Sequence, residues 1–259
     1  MRIGLYQYAV TANHYENMLH IKVAAEEATL NGVELLVLPE CALSGYPQTS
    51  PFTINEIDFQ KVVLAKKELE QLATDNHLCI LTGTAECAEG KYYNSAILAM
   101  PGKETYTVYR KRALWGWDAE NFSSGDMDEG VFKVNGFRIG VRICFEVRFP
   151  EYFRELYRKN VDCAVIIFND TSEADAIERY DLIKAHLRTR AVENVFPVIS
   201  VNSSAINQTA PSAVIDKDGR VILESIPHTE QLLVYDLKKS TEDSFGAKGR
   251  RQISETLAR

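Results

Sequence analysis

The sequence predicts an α/β protein in which helices cover a sheet of mixed strand pairing. In the first part of the chain, short apolar runs alternate with stretches whose apolar residues recur every three or four positions. Further along, short apolar runs flank turn-forming segments such as Pro101-Gly102-Lys103 and Asp216–Gly219, which is typical of hairpins. The chain is 46% hydrophobic and 25% charged, the composition of an ordinary globular protein.

The first half of the chain contains five predicted strands and two predicted helices. The run Val33–Leu38 ends at Pro39 and is apolar throughout, which is typical of a strand buried on both faces. A long irregular stretch, Gly116–Gly130, follows, and loops of that length are often functional. The predicted strands are Arg2–Ala9, Val33–Leu38, Leu78–Thr84, Tyr93–Met100 and Glu104–Tyr109, and the predicted helices are Tyr15–Leu30 and Asp58–Thr74.

The second half continues the alternation and ends in a polar tail. One helix is predicted to begin near Pro150, since proline fits the first helical turn. The predicted strands are Phe137–Ile143, Asp162–Phe168, Pro197–Val201, Ser212–Ile215 and Leu232–Tyr235, and a long helix is predicted at Asp175–Asn194. Residues 238–259 have little apolar content, so we expect them to wrap a surface or pack on a partner subunit. No linker is apparent, and residues 1–259 are expected to form one domain.

Charge and residue counts exclude several classes of function. The net charge of −7 repels phosphate backbones, so nucleic acid is not expected as a partner. No apolar run approaches the ~18 residues of a membrane span, the N-terminus lacks a signal-peptide pattern, and a cytoplasmic location is expected. The five cysteines form no C-x-x-C pair and the five histidines have no metal-ligand spacing, so neither a disulfide framework nor a metal site is predicted.

Three residues at the carboxyl ends of separate predicted strands could carry chemistry. Cys144 lies between a strand and a helix, where backbone N–H groups can face developing negative charge. Glu40 follows a buried strand, and burial would raise its pKa and suit it to acid–base work. Lys111 ends another strand and could direct a cation at an oxyanion. Taken singly, each also fits a structural role: a core cysteine, a turn-capping acid and a solvated basic run.

Together, the segments around these residues resemble the three signature blocks of the nitrilase superfamily of carbon–nitrogen hydrolases, in its amidase-like branch. The blocks are LPECALSGYP, YRKRALW and ICFEVRFPE, and they occur in the family's order. YYNSAILAMPGKETYTVYRK and RTRAVENVFPVISVN also resemble the family, so the likeness extends over about residues 1–236. The resemblance implies a four-layer α-β-β-α sandwich with two mixed sheets and a pocket where Glu40, Lys111 and Cys144 converge. It also implies a homodimer or a higher even homo-oligomer.

The resemblance further implies hydrolysis of a small carboxamide through a cysteine thioester, with release of ammonia or an amine and without any cofactor or metal. Lys111 and the backbone N–H of Phe145 would hold the oxyanion. Family members often carry a second glutamate shortly after the lysine, and Glu120 is the residue that fits. The expected substrate-binding residues are Tyr46, Trp115 and Asn169. Asn169 and Asp170 would together favour a polar or cationic substrate, or would instead cap the helix that follows.

Several alternatives remain open at this stage. The Cys144-Phe145-Glu146 segment departs from the Cys-Trp-Glu of many nitrile-acting members and favours amides, but a nitrilase or an N-carbamoyl amine hydrolase of the same fold is possible. GYPQTSPF also resembles the glutaminase domain of glutamine-dependent NAD synthetases. From other classes, a papain-like hydrolase would pair Cys144 with His186, and a catalytically inactive binding protein would keep only the fold.

Overall fold

The computed structural model describes residues 1–46, 53–126, 130–172, 174, 176–239 and 242–257. Two six-stranded sheets form its centre, and each contains both parallel and antiparallel pairs. The first sheet has the order β12-β1-β2-β3-β4-β5, and the second has the order β11-β10-β9-β8-β7-β6. The prediction of an α/β fold with two mixed sheets is confirmed.

The strands of the first sheet are β1 (Arg2–Gln7), β2 (Leu35–Val37), β3 (Cys79–Ala88), β4 (Lys91–Ala99), β5 (Thr107–Arg110) and β12 (Gln231–Asp236). Those of the second are β6 (Val131–Val134), β7 (Phe137–Ile143), β8 (Cys163–Ile167), β9 (Val198–Val201), β10 (Ala213–Ile215) and β11 (Val221–Glu224). Parallel pairs join β1 to β2, β2 to β3, β7 to β8 and β8 to β9. These parallel strands lie within their sheets, where both faces are covered.

The helices are α1 (His14–Leu30), α2 (Phe59–Asp75), α3 (Trp117–Asn121), α4 (Pro150–Arg158), α5 (Ile177–Asn194) and α6 (Phe245–Leu257). Asn13 caps α1 by accepting a hydrogen bond from the Tyr15 N–H, and Asp58 caps α2 in the same way. Pro150 occupies the first turn of α4, as predicted. None of the helices within the described ranges is both long and apolar enough to cross a membrane.

Alternating burial along the strands produces the four layers. In β8, Val165 and Ile167 enter the core between the two sheets, whereas Ala164 and Ile166 face the core under α4 and α5. In β2, Leu36 faces the core under α1 and α2, while its two neighbours enter the central core. Because strand side chains alternate between faces, a run that is apolar throughout supplies two cores at once. The layers are therefore helix, sheet, sheet and helix.

Within the described residues, two strands and two α-helices were not predicted from the sequence. The strand β6 pairs with β7 through the two-residue turn Asn135-Gly136, both of whose residues have positive φ. Asn-Gly is a strong hairpin signal, so the sequence did carry the information for this strand. The strand β11 is half-exposed, and α3 is a single short turn within the expected irregular stretch. The predicted polar tail contains α6, which lies against α5 and is tied to its own chain by the ion pair of Arg250 with Asp218.

Candidate active site

Glu40 lies at the junction of the two sheets and is fully buried. It follows β2, and its backbone N–H donates to the carbonyl of Phe168, just beyond β8. Its carboxylate oxygen Oε1 accepts hydrogen bonds from the side-chain amide of Asn94 at 2.7 Å and from the Lys111 ammonium at 2.9 Å. Its other oxygen, Oε2, accepts from the backbone N–H of Asn169 at 2.8 Å. Burial raises the pKa of Glu40, although Lys111 opposes that effect. The predicted acid–base residue is thus held on both oxygens.

The loop that carries Glu40 is packed directly on the backbone of β3. The N–H of Gly83 donates to the Pro39 carbonyl, and the Gly83 carbonyl accepts from the N–H of Leu43. A Cβ at Gly83 would lie 2.3 Å from the nitrogen of Cys41 and 2.5 Å from the Cα of Glu40. Since these are backbone atoms, they cannot move aside as a flexible side chain would. Glycine at this position allows the close approach that places Glu40.

Lys111 follows β5 at the same edge of the first sheet, and its side chain is only 2% exposed. Its Nζ donates to Glu40 Oε1 and, at 2.6 Å, to Asp118 Oδ2. Burial alone would lower the pKa of Lys111, but the carboxylates of Glu40 and Asp118 outweigh it and raise the pKa well above its ordinary value. Lys111 is therefore a permanent cation. This placement differs from the solvated basic run that the sequence also allowed.

The prediction that Glu120 is the second carboxylate is wrong in position. Glu120 is exposed, whereas Asp118 is buried and contacts Lys111. Both residues lie in the short helix α3, two positions apart, and residues so spaced do not share a helix face. The hydroxyl of Tyr46 donates to the other oxygen of Asp118 at 2.6 Å, which fixes the orientation of the carboxylate.

Cys144 ends β7 and begins a 3₁₀ helix, Cys144–Arg148. It has a φ of 46°, a left-handed conformation that is uncommon for a residue other than glycine, and its side chain is partly exposed. Burial raises the pKa of the Cys144 thiol well above its ordinary value, and the Glu40 carboxylate raises it further, while Lys111 opposes both. Ile143 pairs with Ile167 on β8, and the next residue there, Phe168, accepts from the Glu40 N–H, so Cys144 and Glu40 follow neighbouring strand ends. The resting side chain is a neutral thiol.

The predicted substrate-binding residues fall into different settings. The Phe145 backbone N–H immediately follows Cys144, at the start of the 3₁₀ helix. Tyr46 contacts Asp118, and Asn169 contacts Glu40. Trp115 is 75% exposed, whereas its neighbour Trp117 packs edge-on against the Tyr46 ring. Tyr46 and Asn169 therefore adjoin the carboxylates, and Trp115 lies on the surface before α3.

The structure also places Asp170 and His186, the two residues on which a cationic substrate and a papain-like mechanism depended. Asp170 is buried and forms an ion pair with Arg179, so its charge is already neutralised. That pairing weakens the case for a cationic substrate. His186 lies on α5, where burial and then the charges of Arg190 and Arg148 lower its pKa. Within the described part of the chain, no hydrogen bond joins His186 to Cys144, contrary to what a papain-like pair requires.

Sequence reasoning also missed two polar residues that support the site. Asn94 donates its side-chain amide to Glu40, and its backbone carbonyl accepts from the N–H of Lys111 at 2.8 Å. Glu146 is fully buried and accepts a hydrogen bond from the Arg112 N–H. Both residues occur in segments quoted for the family resemblance, and for Asn94 the available signal was a polar residue in a largely apolar strand. Among the described residues, no cluster of three or more His, Cys, Asp or Glu side chains could hold a metal ion.

Comparison with known proteins assigns the chain to the family that its sequence segments resemble. The sequence profile described as Carbon-nitrogen hydrolase matches residues 2–245. The chain belongs to the carbon–nitrogen hydrolase family. This membership is consistent with the buried carboxylate, lysine and partly exposed cysteine. It also accounts for the order in which their segments occur along the chain.

Family members with assigned activities are similar over most of the chain. An (R)-stereoselective amidase from Pseudomonas sp. is 26% identical, covering 97% of this chain and 92% of its own length. A 2-oxoglutaramate amidase from Bacillus subtilis is 27% identical, covering 74% and 73%. A mutant of the amidase from Nesterenkonia sp. AN1, solved with the acetamide moiety of fluoroacetamide on its active-site cysteine, is 23% identical with a TM-score of 0.80. That structure covers 92% of this chain and 90% of its own, and it confirms the fold.

Proposed function

We propose that this carbon–nitrogen hydrolase is an amidase that cleaves the C–N bond of a small carboxamide, with Cys144 as nucleophile. The observation that carries the proposal is the Lys111 ammonium, buried between the carboxylates of Glu40 and Asp118. A buried permanent cation next to a nucleophile stabilises an oxyanion, and the adjacent carboxylate with a raised pKa is suited to move protons. The named amidases among the relatives support the same reaction class.

The reaction begins with proton transfer from Cys144 to Glu40. The sulfur attacks the amide carbonyl carbon, and negative charge develops on the carbonyl oxygen. The Lys111 ammonium and the Phe145 N–H receive that charge, a contribution that typically amounts to about 2.7–4 kcal/mol for each donor. Protonated Glu40 then gives its proton to the departing nitrogen, the C–N bond breaks, and ammonia or an amine leaves a thioester on Cys144.

The second half of the reaction regenerates the enzyme. Glu40 takes a proton from water, and the resulting hydroxide adds to the thioester carbonyl. Collapse of this intermediate releases the carboxylic acid and expels the sulfur, which recovers its proton from Glu40. One carboxylate therefore serves as base and acid twice. Asp118 stays beside Lys111 throughout and fixes the direction of its ammonium.

The proposal is tested by replacing the nucleophile and a matched cysteine. Cys144→Ala is expected to fold and to release no measurable ammonia from acetamide, propionamide, glutarate monoamide or an N-carbamoyl amine. Cys87→Ala, which removes an exposed free thiol, is expected to retain the wild-type rate. Retention of a tenth of the wild-type rate in Cys144→Ala would contradict the nucleophile assignment. A wild-type protein that turns over nitriles but no amide would support the nitrilase alternative. Inactivity on every compound would support the binding-protein alternative.

We also infer that the chain forms one domain and assembles as a homodimer or a higher even homo-oligomer. Supporting this, apolar side chains are exposed on two neighbouring outer helices: Ile177 and Leu182 on α5, and Ile253 and Leu257 on α6. Exposed apolar side chains of this kind are available to a protein–protein contact. The expected packing of residues 238–259 on a partner would use the outer side of α6. Light scattering on the purified protein tests the assembly, and a monomer at micromolar concentration would contradict it.

A cytoplasmic location completes the proposal. Cys144 must stay reduced to act as a nucleophile, and all five cysteines are free thiols. Reducing compartments preserve such thiols, whereas oxidising ones favour disulfides. Cell fractionation followed by immunodetection tests this inference, and recovery of the protein from an oxidising compartment would contradict it.

A further inference from the structure

Glu146 is a buried carboxylate that plays no part in the proposed proton transfers. It lies in the 3₁₀ helix after Cys144 and is fully shielded from solvent. Its Oε2 accepts a hydrogen bond from the Ile143 N–H at 2.8 Å. Its Oε1 accepts from the Arg112 N–H at 2.8 Å and from the Tyr109 hydroxyl at 2.7 Å. Three donors therefore meet one carboxylate.

The two backbone donors flank the proposed oxyanion-binding groups. Ile143 directly precedes Cys144 at the end of β7, in the second sheet. Arg112 directly follows Lys111, beyond the end of β5 in the first sheet. Glu146 thus joins, through one side chain, the segment that presents Lys111 and the segment that presents Cys144 and the Phe145 N–H. These segments come from different sheets.

Only an acceptor can occupy this position. A carboxylate presents two oxygens with no hydrogen, whereas glutamine replaces one oxygen with an NH₂ group that donates. In Glu146→Gln, that NH₂ would face a fixed backbone N–H or the Tyr109 hydroxyl. One of the two backbone tethers would then be lost, even though the side chain keeps its size.

The opposite side of the 3₁₀ helix is also held. The Arg190 guanidinium on α5 donates to the carbonyls of Val147 and Arg148, each at 2.9 Å. The left-handed conformation of Cys144 is unfavourable by itself and persists where the surroundings hold it. Glu146 and Arg190 hold the two ends of the turn. Arg190 holds the turn from α5, whereas Glu146 relates the turn to the segment of Lys111 through the Arg112 N–H.

We propose that Glu146 is a positioning residue that sets the distance between the Lys111 ammonium and the pair formed by the Cys144 thiol and the Phe145 N–H. This inference rests on the proposed amidase function. The Lys111 backbone is fixed on one side by the Asn94 carbonyl and on the other by Glu146 through the Arg112 N–H. An error of about 1 Å in such an arrangement can reduce the rate about a hundredfold.

The test compares Glu146→Gln with Asp162→Asn. Asp162 is a matched control because its carboxylate accepts the Arg138 N–H at 2.7 Å, at the opposite end of β7. Rates are expressed per active site, and the active sites are counted by alkylation of Cys144. A smaller amount of folded protein therefore does not lower the measured kcat. We expect Glu146→Gln to lower kcat by about a hundredfold with KM within about threefold, and Asp162→Asn to match the wild type.

A second variant keeps the test decisive where Glu146→Gln does not fold. Glu146→Asp retains the charge and both acceptors but is one methylene shorter, so it cannot reach both Ile143 and Arg112. It is expected to show the same loss of kcat, and wild-type kcat in this variant would overturn the proposal. Unchanged kcat in a folded Glu146→Gln would overturn it as well.

The pH profile separates positioning from proton transfer. Because Glu40 is the proposed base, the acid limb of kcat/KM should stay at the same pH in Glu146→Gln. Disappearance of that limb would make Glu146 a proton-transfer group and overturn the positioning role. A wild-type protein that cleaves no amide would contradict the proposed function itself, whereas an active wild type beside an unaffected Glu146→Gln would contradict only the positioning role.

Discussion

The Lys111 ammonium lies 2.9 Å from Glu40 Oε1, and both side chains are removed from solvent. Each charge loses its hydration in this position, so each depends on the other and on the hydrogen bonds around them. The sheet edges bring the two residues together although they are 71 positions apart in the chain.

Lys111→Gln is expected to lower both activity and stability. Loss of the ammonium removes one oxyanion donor and should reduce kcat by about 10²–10³-fold. It also leaves two buried carboxylates without their cation, which should lower the free energy of unfolding by about 3–5 kcal/mol. Lys22→Gln is the control, because its pair with Glu68 is exposed and should contribute less than about 1 kcal/mol. Ammonia release and urea denaturation measure the two effects, and equal stability of the variants would contradict the account of the pair.

Asp118→Asn should impair catalysis, whereas Glu120→Gln should not. Asp118 contacts Lys111 at 2.6 Å, while Glu120 is exposed on the same short helix. A hydrogen bond between charged groups contributes about 1.5–3 kcal/mol, so we expect kcat/KM of Asp118→Asn to fall by about tenfold or more. The two variants change the same type of group two residues apart. A greater loss of kcat/KM in Glu120→Gln than in Asp118→Asn would instead support Glu120 as the second carboxylate, as the family resemblance implies.

The acid limb of kcat/KM should lie above the pH at which an exposed glutamate titrates. Glu40 acts as a base only as a carboxylate, so the rate falls as the pH drops through its pKa. Burial raises that pKa from the ordinary value of 4.5. On acidification, activity is therefore lost at a higher pH than with an exposed base. A pH–rate profile measures the limb, and an inflection below 4.5 would contradict the desolvated state of Glu40.

Glu40→Gln should separate thiol ionisation from turnover. Glu40 raises the pKa of the Cys144 thiol and Lys111 lowers it, so removing the Glu40 charge should lower that pKa. Alkylation of Cys144 by iodoacetamide should then reach its half-maximal rate at a lower pH than in the wild type. Turnover of amides should nevertheless be lost, because no group remains to carry the protons. A Cys87→Ala background removes the exposed thiol, so that only alkylation of Cys144 is followed. A half-maximal rate at a higher pH in Glu40→Gln than in the wild type would contradict this electrostatic arrangement.

Gly83→Ala is expected to be strongly destabilising. Its added Cβ would meet backbone atoms of Cys41 and Glu40 at 2.3 and 2.5 Å, so the loop of Glu40 must shift. Clashes of this kind in a packed interior cost about 1–3 kcal/mol or more. Gly249→Ala is the matched substitution, since its Cβ would meet open space on α6 and alanine favours a helix by about 1 kcal/mol. Thermal denaturation compares them, and equal melting temperatures would contradict the close approach at Gly83.

Local patterns in the sequence were sufficient for most of the strands. Phe137–Ile143 was predicted with the observed bounds, because its apolar character and its neighbouring turns are local features. Glu40, Lys111 and Cys144 were predicted as the catalytic set because each follows a strand in a segment that resembles a known family, and the structure places each at the end of a strand. By contrast, Asp118 and Glu120 lie two residues apart, and nothing in their local pattern indicates which one turns inward.

The sequence by itself determined the alternation of helices and strands, the apolar runs that are buried on both faces, and the chemical groups available at the strand ends. Only the tertiary structure decided which carboxylate meets Lys111, that Glu146 joins the two sheets, and that Asp170 is neutralised by Arg179. The physical reason is that strand periodicity depends on neighbouring residues. Charge pairing and hydrogen bonding across the sheets instead depend on how closely the fold brings together side chains from distant parts of the chain.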